Sequence, residues 1–219
     1  MPPHNGEEVT IPAEYSDRLA GNLVVPPDAK GVVVFAHGSG SGRFSPRNRY
    51  VADRLNEVGL ATLLIDLLTE SEALDRRNVF DIPLLADRVV QCTFWLTSHP
   101  PTLGLPVGVF GASTGGGAAL VAAASKPEVI RCVVSRGGRP DLAENALPNV
   151  ICPTLLIVGG FDSDVLALNE AAQERMTAPC ELAVVPGATH LFEEPGTLEQ
   201  VADLAADWFL RHLAPGNEG

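Results

Sequence analysis

The sequence predicts an α/β protein: a mostly parallel, doubly wound sheet with helices on both faces. Three observations carry this expectation. Short runs such as VVVF (32–35) and LLIV (155–158) are apolar throughout, as strands covered on both faces must be. They alternate along the chain with stretches of helical period and length. The loops after the apolar runs are rich in glycine and carry Ser39, Ser113, Arg136, Asp162 and His190, and the carboxyl edge of a parallel sheet is where ligands bind.

The elements follow in order. Residues 9–11 and 19–25 read as two short strands of an opening hairpin. GVVVFAHG (31–38) is a buried strand, and RNRYVADRLNEVG (47–59) is an amphipathic helix ending on Gly59. ATLLIDLL (61–68) is the next strand, and IPLLADRVVQCTFWLTSH (82–99) is a long helix stopped by Pro100 and Pro101. A strand at 107–111 leads into a glycine-rich helix. Strands at 130–138 and 153–160, a helix at 165–176, a strand at 181–188 and a helix at 197–213 complete the chain. The flanks PPHNG and APGNEG read as loose ends.

At 219 residues the chain fits a single domain spanning its whole length. The balance of 46% hydrophobic to 19% charged residues is that of a globular chain, not a disordered one. A formal charge of −12 repels nucleic acid and anionic membrane surfaces, so neither is an expected partner. The start, MPPHNGEEVT, has no basic n-region and no apolar h-region, and no apolar run approaches the roughly 20 residues of a membrane span. A cytoplasmic location is therefore expected. Cys92, Cys132, Cys152 and Cys180 show neither metal spacing nor a disulfide-dense pattern, so they read as reduced, mostly buried thiols. No metal or organic cofactor is expected.

The most informative stretch is PVGVFGASTGGGAAL (106–120). Glycine in a helix costs roughly 1 kcal/mol relative to alanine. Yet Gly115, Gly116 and Gly117 stand together where a helix begins. Gly111-Ala112-Ser113-Thr114-Gly115 fits the G-x-S-x-G elbow, in which a serine on a tight strand-to-helix turn projects its hydroxyl above the sheet. Small residues on either side let strand and helix close up, and the helix N-terminus faces developing negative charge. A phosphate loop would need lysine after Gly116, where this chain has Gly117. HGSGSGR misses G-x-G-x-x-G, because Arg43 stands where the last glycine belongs.

Chain order strengthens the elbow. Asp162 follows the strand LLIVGG and His190 follows VVPGA, so Ser113, Asp162 and His190 each stand past a strand in the order nucleophile, acid, base. In these roles Ser113 attacks a carbonyl carbon, His190 takes and returns the proton, and Asp162 orients the imidazole. Asp164 competes for the acid's place but reads as the N-cap of the helix at 165. His37 competes with His190 but precedes the serine strand. The loop from His37-Gly38 is placed to form an oxyanion hole from the backbone N–H groups of Ser39 and Thr114.

The stretches VVVFAHGSGSGR, FGASTGGGAAL, VVSRGGRPDL, LLIVGGFDSDVLALN and VVPGATHLFEEPG together resemble the α/β-hydrolase superfamily, and within it the dienelactone-hydrolase-like group with a serine nucleophile. Dienelactone hydrolases proper carry cysteine at the elbow, where this chain has Ser113. The resemblance implies the α/β-hydrolase fold and hydrolase chemistry. Between Gly138 and Pro153 there is room only for a short helix, PDLAENAL, so no cap domain is expected. Arg43 and Arg136 are candidates to bind a substrate carboxylate, with Arg139 nearby. In a chain with excess acid, pairing with Asp66, Glu70, Asp141, Glu193 or Glu194 is the favoured expectation for all three. The expected function is hydrolysis of small carboxylic esters or lactones through an acyl-enzyme. The alternative is a non-catalytic binding or scaffolding protein on the same fold.

Overall fold

The computed structural model describes residues 6–13 and 18–214; most of the two flanks read as loose ends lies outside them. In chain order the elements are β1 (Glu7–Ile11), β2 (Leu19–Val24), β3 (Val32–Ala36), α1 (Pro46–Glu57), β4 (Ala61–Ile65), α2 (Glu70–Ala73), α3 (Arg76–Val79) and α4 (Ile82–Ser98). Then come β5 (Val107–Ala112), α5 (Thr114–Ser125), β6 (Ile130–Arg136), β7 (Thr154–Gly159), α6 (Ser163–Arg175), β8 (Cys180–Val185) and α7 (Thr197–Leu213). A kinked 3-10 segment, Pro140–Asn149, joins β6 to β7.

The eight strands form one sheet in the order β1-β2-β4-β3-β5-β6-β7-β8. β1, β2 and β4 pair antiparallel, and every pair from β4 through β3 to β8 is parallel. The parallel strands β3, β4, β5 and β7 are buried at every residue, which is why their sequences are apolar runs and not alternations. Residues of α4 and α5 pack on one face of the sheet with Val32, Val34 and Val109. Those of α1 and α7 pack on the other with Val33, Phe35 and Phe110. The crossovers put β3 beside both β4 and β5, so the loops leaving β3 and β5 rise side by side from the carboxyl edge.

Several strands stop short of their apolar runs. β3 ends at residue 36 and not 38, β4 at 65 and not 68, β6 at 136 and not 138, and β8 at 185 and not 188. Some of the residues left beyond these ends, Gly38 and Gly137 among them, pack against the site described next. Residues 69–81, which periodicity does not assign, hold α2 and α3, each one turn long. Among the described residues no helix is long and apolar enough to cross a membrane. Cys92, Cys132 and Cys152 are buried free thiols and Cys180 is partly so; burial pushes Cys92 up to about 12 and Cys152 to about 11.

Candidate active site

β5 delivers Ser113 to the carboxyl edge in a conformation side chains rarely adopt, φ 51° and ψ −122°. The surroundings hold it there. Ser113 N–H donates to the Arg136 carbonyl at 3.2 Å, and its own carbonyl accepts from Gly116 N–H at 2.9 Å and Arg139 N–H at 3.0 Å. The glycines are needed for space. A Cβ on Gly111 would stand 2.5 Å from the Gly115 carbonyl oxygen, and one on Gly115 would run into the carbonyls of Ala36 and His37. Gly116 and Gly117 give the same clearance against Ser135 and Arg139. The lost helix propensity thus lets α5 press its first turn against β3, beside the loop that carries Ser39. Gly38 works from the other side, because a Cβ there would lie 2.9 Å from Ser113 Cβ.

The other two candidates of the predicted trio meet at this edge. Asp162 follows β7, His190 follows β8, and His190 Nδ1 donates to Asp162 Oδ2 at 2.6 Å. The carboxylate is largely buried and the imidazole is partly open to solvent. That bond leaves Nε2 as the nitrogen free of hydrogen in the neutral ring. Gly137 packs on the imidazole, where a Cβ would be 3.4 Å from Cε1. Ser113 and His190 line one cavity of about 250 Å3 with Gly38, Ser39, Arg47 and Arg136.

Helix capping sets Ser113 and Asp162 apart. Ser45, Thr69, Asp75 and Asp81 stand at N-cap positions, and each accepts a backbone N–H from its helix. Ser113 and Asp162 also stand at N-cap positions with side chains able to cap, and neither does. The structure here corrects the sequence expectation for Asp164. α6 begins at Ser163, so Asp162 and not Asp164 is the N-cap residue, and Asp164 sits exposed in the first turn. There its charge complements the helix dipole.

Ser39 and Thr114 are adjacent, but in a way the sequence does not reveal. Ser39 N–H donates to Thr114 Oγ1 at 2.9 Å, so this donor already has an acceptor in the resting protein. Thr114 is the first residue of α5, whose leading N–H groups lack intrahelical partners. His37 plays a structural part. Its Nδ1 donates to the Gly38 carbonyl at 2.9 Å, and its Nε2 accepts from Leu67 N–H at 3.1 Å. This ties the start of the Ser39 loop to the end of β4. A second cavity of about 270 Å3 shares Gly38, Ser39 and Ser41 with the first, and its wall holds Thr114, Leu68, Val79 and Leu85 together with Asp66 and Glu70.

The three arginines divide. Arg43 binds Asp66 through its backbone N–H and Nη1, both at 2.7 Å, and stacks over Phe44. Arg139 makes a forked pair with Asp141 at 2.8 and 2.7 Å. Arg136 departs from the expected pairing. It is 7% exposed, and among the described residues its neighbours are Asn48 Oδ1, 3.5 Å from Nη2, and the ring of Phe192. Burial first, and the charge of Arg47 second, lower its pKa to about 10. The sequence reading missed Arg47. Its signal is a basic residue just after the N-cap pair Ser45-Pro46, where the helix dipole disfavours positive charge. Among the described residues no three His, Cys, Asp or Glu side chains cluster as metal ligands would.

A model of the dienelactone hydrolase family matches residues 19–213. Two relatives from Mycobacterium tuberculosis, strains CDC 1551 and H37Rv, each provisionally named a phosphoribosyl transferase, are 61% identical over all 219 residues. The chain spans about half the length of these relatives, 49%. Among solved structures, a dienelactone hydrolase from Anabaena variabilis is 58% identical, with 96% of this chain and 100% of that one covered and a TM-score of 0.91. Est1E from Butyrivibrio proteoclasticus shares the fold at 17% identity, covering 93% of this chain and 98% of its own, with a TM-score of 0.79.

Proposed function

The chain belongs to the dienelactone hydrolase family, with an α/β-hydrolase fold and no separate cap domain, and from that premise we propose that it is a serine hydrolase of small carboxylic esters or lactones. Family membership supports a hydrolase. The observation that carries the finer reading is the His190–Asp162 bond of 2.6 Å on the cavity that also holds Ser113.

In this reading Ser113 Oγ attacks the carbonyl carbon while its proton passes to His190 Nε2. Asp162, bonded to Nδ1, keeps the ring in the tautomer that can accept at Nε2 and stabilises the imidazolium. The oxyanion takes N–H bonds from Thr114 and from Ser39, whose N–H passes from the Thr114 hydroxyl to the incoming oxygen. Collapse breaks the carbon–oxygen bond to the alcohol, which leaves with the proton from Nε2. Water, giving a proton to the same nitrogen, then opens the acyl-Ser113 ester and frees the acid. A lactone follows the same path with its alcohol still tethered.

The phosphoribosyl transferase name belongs to relatives about twice as long as this chain. Within the matched half, the elbow serine and the His190–Asp162 pair support acyl transfer to water. The test is turnover of p-nitrophenyl acetate and of a small lactone. Ser113→Ala should lower it by several orders of magnitude with the melting temperature unchanged. Near-normal turnover in that variant would put the nucleophile elsewhere.

A further inference from the structure

In a protein of net charge −12, the wall beside Ser113 and His190 gathers positive charge. Arg136 is the innermost part of it. Its Nε and Nη1 are buried with no hydrogen-bond partner among the described residues, and Nη2 has only the 3.5 Å contact with Asn48. A guanidinium so placed has lost its water and gained little in return. Arg47 lines the same cavity. Among the described residues its Nε also lacks a partner, and its one ion pair is a 3.4 Å contact with the exposed Glu193. The third contributor is the N-terminus of α1, a helix of 12 residues with no acid in its first turn. Its N-cap Ser45 lines the cavity together with Ser39 and Ser41.

Two guanidinium groups and a helix N-terminus of the same sign face one space, and each disfavours the others. A bound anion reverses all three effects. The donors also indicate which anion. In α1 Pro46 has no N–H and Asn48 N–H is capped by Ser45, which leaves the Arg47 N–H; with it, two guanidinium forks and three serine hydroxyls outnumber what the two oxygens of a carboxylate can accept. They suit the three terminal oxygens of a phosphate monoester.

We propose that the cavity beside Ser113 binds a phosphate group carried by the substrate, gripped by Arg136 and Arg47 at the N-terminus of α1, so that the ester or lactone hydrolysed is a phosphorylated one. The hydrolysis rests on the serine-hydrolase reading above; the phosphate site does not. The neighbouring cavity, with Leu68, Val79 and Leu85 in its wall, is then left for the acyl group.

The test uses the full chain with Ser113→Ala, which binds without turnover. Acetylglycerol 3-phosphate is titrated by calorimetry beside acetylglycerol and beside O-acetyl-3-hydroxypropanoate, its carboxylate counterpart. The phosphate ester should bind at least about tenfold more tightly than either, as loss of a charge-assisted contact commonly costs about tenfold to a hundredfold. Arg136→Met and Arg47→Gln should each remove that margin, and Arg136→Lys should restore part of it. Equal affinity for the phosphate and neutral esters overturns the proposal, as does a margin that survives both arginine changes. A carboxylate ester bound as tightly as the phosphate ester overturns the assignment to phosphate. If Arg136→Met does not fold, Arg47→Gln on the partly exposed first turn of α1 decides alone. Turnover by the Ser113 protein separates the two readings. Neutral esters hydrolysed with no phosphate margin sink this inference and leave the serine hydrolase standing. Phosphate binding without hydrolysis of any ester does the reverse.

Discussion

His190 Nδ1 lies 2.6 Å from Asp162 Oδ2, although Asp162 stands where its carboxylate would ordinarily cap α6. A capping side chain stabilises a helix by about 1 kcal/mol, and α6 forgoes this so that the carboxylate can hold the imidazole. Ser113 makes the same choice at α5. Two helix starts thus lack a side-chain cap, and both residues stand by His190: Asp162 is bonded to it and Ser113 lines the same cavity.

Asp162→Asn should lower esterase turnover by about 10⁴, the effect of removing the charge that orients a triad histidine. Asp164→Asn, on the exposed first turn of α6, should change turnover little. Steady-state kinetics on the two variants checks this. Greater damage from Asp164→Asn would mean that Asp162 is only a helix-start residue.

Gly115→Ala should be costly despite alanine's better helix propensity. Its Cβ would enter the carbonyls of Ala36 and His37, and backbone cannot step aside as a side chain can. Overpacking of this kind costs about 3 kcal/mol, which in a chain of this size is a fall of roughly 6–12 °C in melting temperature. Turnover should fall too, because the Ser39 loop is displaced. An unchanged melting curve would show that α5 and β3 are not pressed together.

His37 gives a pH dependence of stability. Burial holds its imidazole below the usual value of 6.5, against the opposing pull of the Gly38 carbonyl and Asp66. The folded ring is therefore neutral where the unfolded chain still binds a proton. This contribution is present above about pH 6.5 and is lost as pH falls through the depressed folded value. The bond at stake is Leu67 N–H to Nε2, which a protonated ring cannot accept. Melting temperature should drop between pH 7 and pH 5, and His37→Gln should flatten part of that drop. An equally steep drop in the variant would assign the acid sensitivity to other groups.

Substrate size should be limited. The two cavities, about 250 and 270 Å3, fall below the ~300–1,000 Å3 of sites for drug-sized ligands. Each methylene contributes roughly 0.8 kcal/mol only if it leaves water. Against Leu68, Val79 and Leu85 that gain should stop after a few carbons. On p-nitrophenyl esters, kcat/KM should peak between acetate and butyrate. A steady rise to palmitate would reveal a longer apolar groove.

Features that lie along one dimension were legible in the sequence. Apolar runs show the parallel strands, and the order of Ser113, Asp162 and His190 past three of them marks the candidate site. What was not legible depends on three dimensions or on length. α2 and α3 span four residues each, too short for a helical period to appear, although Thr69 and Glu72 form a capping box that spacing could have signalled. The start of α6 shifts by two residues because Asp162 fills the cap position without capping. Charge counting suggests an acidic partner for every arginine. Arg43 and Arg139 have one, and Arg136 is carried by β6 into a wall where its contacts are Asn48 and Phe192. The bond from Ser39 to Thr114, 75 residues apart in sequence, exists only once β3 and β5 are neighbours.

The central claim is that Ser113 is an activated nucleophile, and covalent labelling by a fluorophosphonate tests it most directly, since it needs no knowledge of the natural substrate. The folded protein should take up one label per chain on the peptide that carries Ser113, and Ser113→Ala should take up none. No label on the folded protein, or equal labelling of the variant, would contradict the account.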